Sequence, residues 1–250
     1  MDLLERRAAN QSRHPWEQAR AAFFVKAARE LLRPDARLLD VGAGDGFVAS
    51  QLLGALPALQ ITCCDLHYDD ATISELSQTY REITFAQDLP DTTFDAITLL
   101  DVLEHIEDDQ RFLDDLVRRI NPGGLLFFAV PAWQALFTAH DRKLRHFRRY
   151  SPSQALEVLR RSGLEPLSHG GLFHSLLPVR LAEKALETVK PPQKDDTVLH
   201  GDVGTWGGGP LLTRAIATVL ELDGRLSRTL SRLRLPLPGL SFFALCRKPL

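Results

Sequence analysis

The segment that most constrains this chain is Leu38-Leu39-Asp40-Val41-Gly42-Ala43-Gly44-Asp45-Gly46-Phe47. A short apolar run ends on an acid, three glycines follow at alternate positions, and a helix-compatible stretch, FVASQLLGAL, begins at once. Glycine lets the backbone turn sharply and come close to a ligand, and the following helix aims its N-terminal N–H groups at the same spot. Strand, tight turn and helix in that order is the unit from which parallel α/β sheets are built. A dinucleotide fingerprint would place its third glycine at position 47, which here is Phe47.

The remainder of the chain repeats the alternation. A helix over 16–32, closed by Pro34, precedes the first strand. ITCCD is a second strand, residues 71–80 a helix, and ITFAQ a third strand. FDAITLLDV is a longer apolar run, suited to a parallel strand covered on both faces. Phe112, Leu116 and Ile120 form a helical stripe flanked by Leu113 and Val117, with Asp108 and Asp109 at its positive end and Asn121-Pro122-Gly123-Gly124 stopping it. LLFFAVP is the fifth strand. Ser151-Pro152-Ser153-Gln154 reads as a capping box with proline at the first helical position, and LEPLSHGG and SFFALCRKP are the last two strands.

This pattern predicts an α/β fold, a doubly wound and mostly parallel seven-stranded sheet with an N-terminal helix and a long helical insertion before the last strand. One domain over 1–250 is expected: a helical cap (1–35), a core (36–171), the insertion (172–239) and a final strand (240–250). Ligands of such sheets bind beyond the carboxyl ends of the strands, where strand order reverses. That rule gathers the first strand's turn and the ends of the second and fourth strands around one crevice.

Composition narrows the function. A length of 250 residues suits one core with elaborations, and a net charge of -2 gives no electrostatic reason for nucleic-acid binding. The three cysteines, Cys63, Cys64 and Cys246, show neither a metal spacing nor a disulfide framework, so no metal and a reducing compartment are expected. The N-terminus lacks a signal-peptide apolar core. Residues 123–139 carry no charge, but Pro131, Gln134 and the strand formers before them describe a buried strand and a connection. The expectation is a cytoplasmic protein.

Asp65 ends the second strand, where a carboxylate meets ribose hydroxyls; a solvated strand-end acid is the plainer reading. With these residues in place, the chain resembles the class I S-adenosylmethionine-dependent methyltransferases, over most of residues 36–131. Asp40-Val41-Gly42-Ala43-Gly44-Asp45-Gly46 is similar to their first motif. Asp65, followed by Leu66, matches the acid that holds the cofactor ribose, and Asp88-Leu89 the pair that contacts adenine. LLDVLEHIED (99–108) followed by NPGG resembles the small-molecule branch that includes quinone-biosynthesis O-methyltransferases. The resemblance implies a Rossmann-like methyltransferase fold, S-adenosyl-L-methionine as cofactor, and Asp40, Gly42, Ala43, Gly44, Gly46, Asp65, Leu66, Asp88, Leu89 and Asp101 as its binding residues. It implies a small-molecule or lipid-like acceptor methylated at oxygen. HPWE (14–17) and HDRKLRHFRRYSP (140–152) extend it more loosely, and Trp16 and Glu17 could belong to a lid over the cofactor.

Methyl transfer from a sulfonium asks mainly for alignment, with a general base where the acceptor is a hydroxyl. Candidate bases are His105, past the fourth strand, and His140 and His146 after the fifth, with His140 favoured; each has a structural alternative. Arg148, Arg149 and Tyr150, in the main basic run, are candidates to hold an anionic acceptor, against a solvated face at a helix start. The insertion carries a helix-like stretch (176–189), a Pro/Gly-rich loop through Gly209 and a basic amphipathic segment (211–235) with Arg225, Arg228, Arg232 and Arg234. It could cap the acceptor pocket, form a homodimer face, lie on a membrane surface or simply pack on the domain. Two rival functions stand beside the enzyme: a nicotinamide oxidoreductase, which the glycine spacing opposes, and a non-catalytic cofactor-binding protein acting through partners.

Overall fold

The computed structural model describes residues 13–189 and 206–250. Its seven strands are β1 (Arg37–Val41), β2 (Gln60–Cys64), β3 (Ile83–Ala86), β4 (Phe94–Leu100), β5 (Ile120–Pro131), β6 (Glu165–Leu172) and β7 (Ser241–Arg247). They form one sheet in the order β3-β2-β1-β4-β5-β7-β6. The first five pair parallel, whereas β7 runs antiparallel to both neighbours.

Helices cover both faces. Side chains alternate along each strand, so Leu38 and Phe127 join one core while Leu39 and Phe128 join the other. The first core meets α1 (Pro15–Leu31), α2 (Phe47–Ala55), α3 (Asp70–Thr79) and α8 (Pro210–Arg232). The second meets α4 (Asp109–Arg118) and α6 (Pro152–Arg161). Cys63 and Cys64 fall one in each core, both buried thiols, as is Cys246. Between α4 and α6 the chain adds a short α5 (Ala139–Lys143), and α7 (Leu177–Val189) follows β6.

Local chemistry fixes the helix starts. Asp108 caps α4 by accepting from the Arg111 N–H at 3.2 Å, and Ser151 with Gln154 forms the capping box of α6 behind Pro152. Three expectations are corrected. Ile120 and Asn121-Pro122-Gly123-Gly124 do not end α4; they open β5, because Arg119 already caps the helix and Gly123 takes φ +76° to enter the strand. The basic run after β5 contains a helix, α5, held by a capping box between Thr138 and Asp141. Arg228 is buried, paired with Glu30. Most of the Pro/Gly-rich loop lies outside the described residues. Among the described residues no helix is long and apolar enough to cross a membrane.

Candidate active site

Strand order reverses between β1 and β4, and a cavity of about 750 Å³ opens there, at the carboxyl ends of β1, β2, β4 and β5. Its floor begins at the glycine turn. Gly42 N–H donates to the Cys64 carbonyl at 2.8 Å, Gly44 N–H donates to Asp65 Oδ2 at 3.0 Å, and the Tyr68 hydroxyl donates to the Gly44 carbonyl at 2.7 Å. The turn is therefore tied to the end of β2 before any ligand arrives. Gly42, Gly44 and Gly46 all have positive φ, and a Cβ on Gly42 would stand 2.3 Å from Val102 Cγ2.

Of the predicted cofactor residues, Gly42, Asp65, Leu66, Asp88, Leu89 and Asp101 line the cavity. Asp40, Ala43, Gly44 and Gly46 do not; they build the turn behind it. Asp40 is fully enclosed and accepts from Thr98 Oγ1 at 2.6 Å, and burial pushes its carboxyl up to about 6 despite that hydrogen bond. Asp101 takes φ +55° at the end of β4 and is gripped by Arg20 of α1. Its other oxygen, Oδ1, is buried without a hydrogen-bond partner.

A second group of side chains occupies the same cavity. Asp141, buried behind the lining, is its hub: Oδ1 lies 3.0 Å from His146 Nδ1 and accepts from Arg149 Nε at 2.7 Å, while Oδ2 accepts from Arg180 at 3.0 Å and from the Thr138 N–H at 2.9 Å. Burial works to raise the Asp141 pKa, but the hydrogen bonds from His146 and Arg149 outweigh it and hold the carboxyl well below the usual range. An ionised Asp141 can only accept at this contact, so the neutral His146 tautomer that pairs with it carries its proton on Nδ1 and presents the Nε2 lone pair. The His105 and His146 rings meet edge to face at 4.6 Å, and His140 also faces the cavity. Burial, helped by the charge of Arg180, lowers the His140 pKa, so that ring is neutral at neutral pH. Glu104 is wholly buried and burial pushes it up to about 8. Glu104, His105 and His146 bring one donor atom each within 4.8 Å of one another, a spacing a cation could bridge. The sequence expectation of no metal rested on cysteine spacing and did not weigh these three.

The basic candidates separate. Arg149 lines the cavity; Arg148 and Tyr150 do not. The Tyr150 hydroxyl donates to Asp109 at 2.7 Å, and Arg148 pairs with Asp109 at 2.8 Å and donates to the Glu107 carbonyl at 2.6 Å. Both are committed to holding the start of α4. Trp16 and Glu17 do reach the cavity from α1. Sequence reasoning missed Arg20, Glu104, Asp141 and Arg180. Arg20 had a signal, since it lies one helical turn beyond Trp16 and stacks its guanidinium 4.5 Å from that ring. Arg180 had none, because only the fold carries α7 to Asp141.

A crevice at the switch point, floored by a glycine-rich turn and edged by Asp65, is that of a Rossmann-like protein for a nucleoside cofactor. The chain belongs to the S-adenosylmethionine-dependent methyltransferases: the methyltransferase domain family model matches residues 11–169. It is 25% identical over 145 residues to a protein of Mycolicibacterium smegmatis named "probable S-adenosylmethionine-dependent methyltransferase", a match covering 55% of each chain. It is 27% identical over 175 residues to a ubiquinone biosynthesis O-methyltransferase of Idiomarina loihiensis, covering 60% of this chain and 71% of the relative. The chain thus spans about half the length of the first of these and more of the second. A solved structure of coclaurine N-methyltransferase, bound to N-methylheliamine and SAH, shares the fold with a TM-score of 0.57 at 12% identity, over 92% of this chain and 72% of that one.

The residues present fit that cofactor. Asp65 offers carboxylate oxygens to a ribose, the unpartnered Asp101 Oδ1 is an acceptor for an ammonium, and Arg20 is a cation for a carboxylate.

Proposed function

We propose that the protein transfers the methyl group of S-adenosylmethionine to an oxygen of a small, lipid-like acceptor, by in-line displacement driven mainly by positioning. The observation that carries this reading is the composition of the cavity away from the glycine turn. Phe112, Leu144, Phe173, Leu176 and Val179 supply apolar walls, and the cluster around Asp141 supplies one polar corner. An acceptor with an apolar body and one hydroxyl matches that division.

When bound, the cofactor supplies a sulfonium methyl that is already electrophilic. The chain then has to align the acceptor, exclude water and take a proton. Alignment alone is worth on the order of 7–11 kcal/mol of barrier. His146 is the proton acceptor in this reading, because Asp141 fixes its tautomer with Nε2 free to receive. His140, favoured from sequence, faces the cavity but lacks that orienting geometry. Arg149 and Arg180 add positive charge beside the base, which favours the acceptor's oxyanion over its hydroxyl. The relative named as a ubiquinone biosynthesis O-methyltransferase supports oxygen as the receiving atom.

A methyl-transfer screen with labelled S-adenosylmethionine, across phenolic lipids and their water-soluble analogues, tests the reading. Label should pass to the lipids, and His146→Ala should lower kcat by roughly 10²-fold or more while leaving cofactor affinity unchanged. Transfer to nitrogen acceptors only, or an unaffected kcat in His146→Ala, would count against it.

A further inference from the structure

Helix α8 exposes more large apolar side chains than it buries. Its buried side packs on α1 and β6 through Leu220, the buried Arg228 and five small or hydroxyl residues, Thr213, Ala217, Gly224, Ser227 and Ser231. Its exposed side carries the large apolar ones: Leu211 (87% exposed), Val219 (48%), Leu222 (55%), Leu226 (47%) and Leu233 (62%). These positions step by three, four, seven or eight residues, so they form one stripe along the helix. Arg214, Arg225 and Arg232, all exposed, run along one edge of it, with Arg232 also paired to Glu30 of α1. No aspartate or glutamate of α8 is exposed: Glu221 and Asp223 are half-buried, and Asp223 accepts from the Ser175 N–H at 2.9 Å and hydroxyl at 2.7 Å. The stripe continues past the helix through Leu235 and Leu237.

We propose that α8 lies on an anionic lipid bilayer, with the leucine stripe in the boundary between headgroups and acyl chains and the arginine row on lipid phosphates. Charge complementarity selects this occupant. A stripe of leucines whose fully exposed charges are all cations fits a surface that is apolar below and negative above. A second copy meeting the same face would bring arginines and no exposed acid of α8 to pair with them. The surface also leads to the cavity. Val179 of α7 is 55% exposed and lines the cavity, and the turn at His174–Leu176 joins α7 to α8 through the His174–Ser227 and Ser175–Asp223 hydrogen bonds. A membrane-held acceptor would meet an apolar rim on its way in.

Co-sedimentation of the full chain with vesicles of phosphatidylcholine, with and without phosphatidylglycerol, tests the proposal without reference to methyl transfer. The chain should bind vesicles containing phosphatidylglycerol, and added salt should weaken the binding. Arg214→Gln with Arg225→Gln should weaken it roughly twenty-five-fold, at about fivefold for each charge. Leu222→Glu with Leu226→Glu should weaken it at least as much, with thermal unfolding and S-adenosylmethionine affinity unchanged. Should the leucine variant fail to fold, the arginine pair still decides. Absence of binding to either vesicle overturns the proposal. So does an arginine variant that binds as well as the parent, or a leucine variant that loses only self-association in the ultracentrifuge.

Discussion

Gly42 shows how one missing side chain can shape a binding site. With φ +67° and Val102 Cγ2 2.3 Å from where a Cβ would stand, alanine is both strained and obstructed there. Gly42→Ala should therefore displace the turn or Val102, and both line the cavity. We expect S-adenosylmethionine affinity to fall by tenfold or more in calorimetry; unchanged affinity would show that the turn is not the cofactor's floor. Asp65 and the three glycines were legible in the sequence because turn chemistry is local. Arg148 and Tyr150 were misplaced because a basic run carries no information on which arginine faces inward. The fold sends Arg149 to Asp141 and its two neighbours to Asp109.

Among elements, α7 does the most that local sequence could not announce. Arg180 reaches from it to Asp141, and Lys184 donates to the Phe137 carbonyl at 2.6 Å, so the helix is pinned across the cavity by polar contacts. Such pins are weaker than a packed core and can open. Arg180→Ala should raise the acceptor KM several-fold and leave cofactor affinity unchanged; steady-state kinetics with both ligands varied would separate the two. If cofactor affinity fell instead, α7 would belong to the other half of the site. The strands themselves were easy to find, since runs such as FDAITLLDV are apolar on both faces. Their order was not: nothing local announces that β7 inserts between β5 and β6 and runs antiparallel to both.

For the molecule as a whole, the buried acid at the end of β1 links stability to pH. Asp40 titrates near 6 in the fold and near 3.8 when the chain is open. Between those values the folded state keeps a proton that the unfolded state has lost, so the folded state's advantage shrinks as pH rises through the window. The slope from this one group reaches about 1.4 kcal/mol per pH unit. Asp40→Asn keeps an oxygen for Thr98 and removes the titration. Urea midpoints measured from pH 4 to 6 should fall less steeply in the variant, and parallel slopes would assign the dependence to other groups.

The placement of β7 bears on how the protein is made. β5 and β6 do not pair with each other: the second edge of β5 and the whole of β6 find their partner only in residues 241–247. While the chain emerges from a ribosome, the five parallel strands and the glycine turn can assemble, but β5 keeps a bare edge and β6 has no sheet to join. The strands that carry the glycine turn and Asp65 thus leave the ribosome before Phe173, Leu176 and Val179, the later residues of the same cavity.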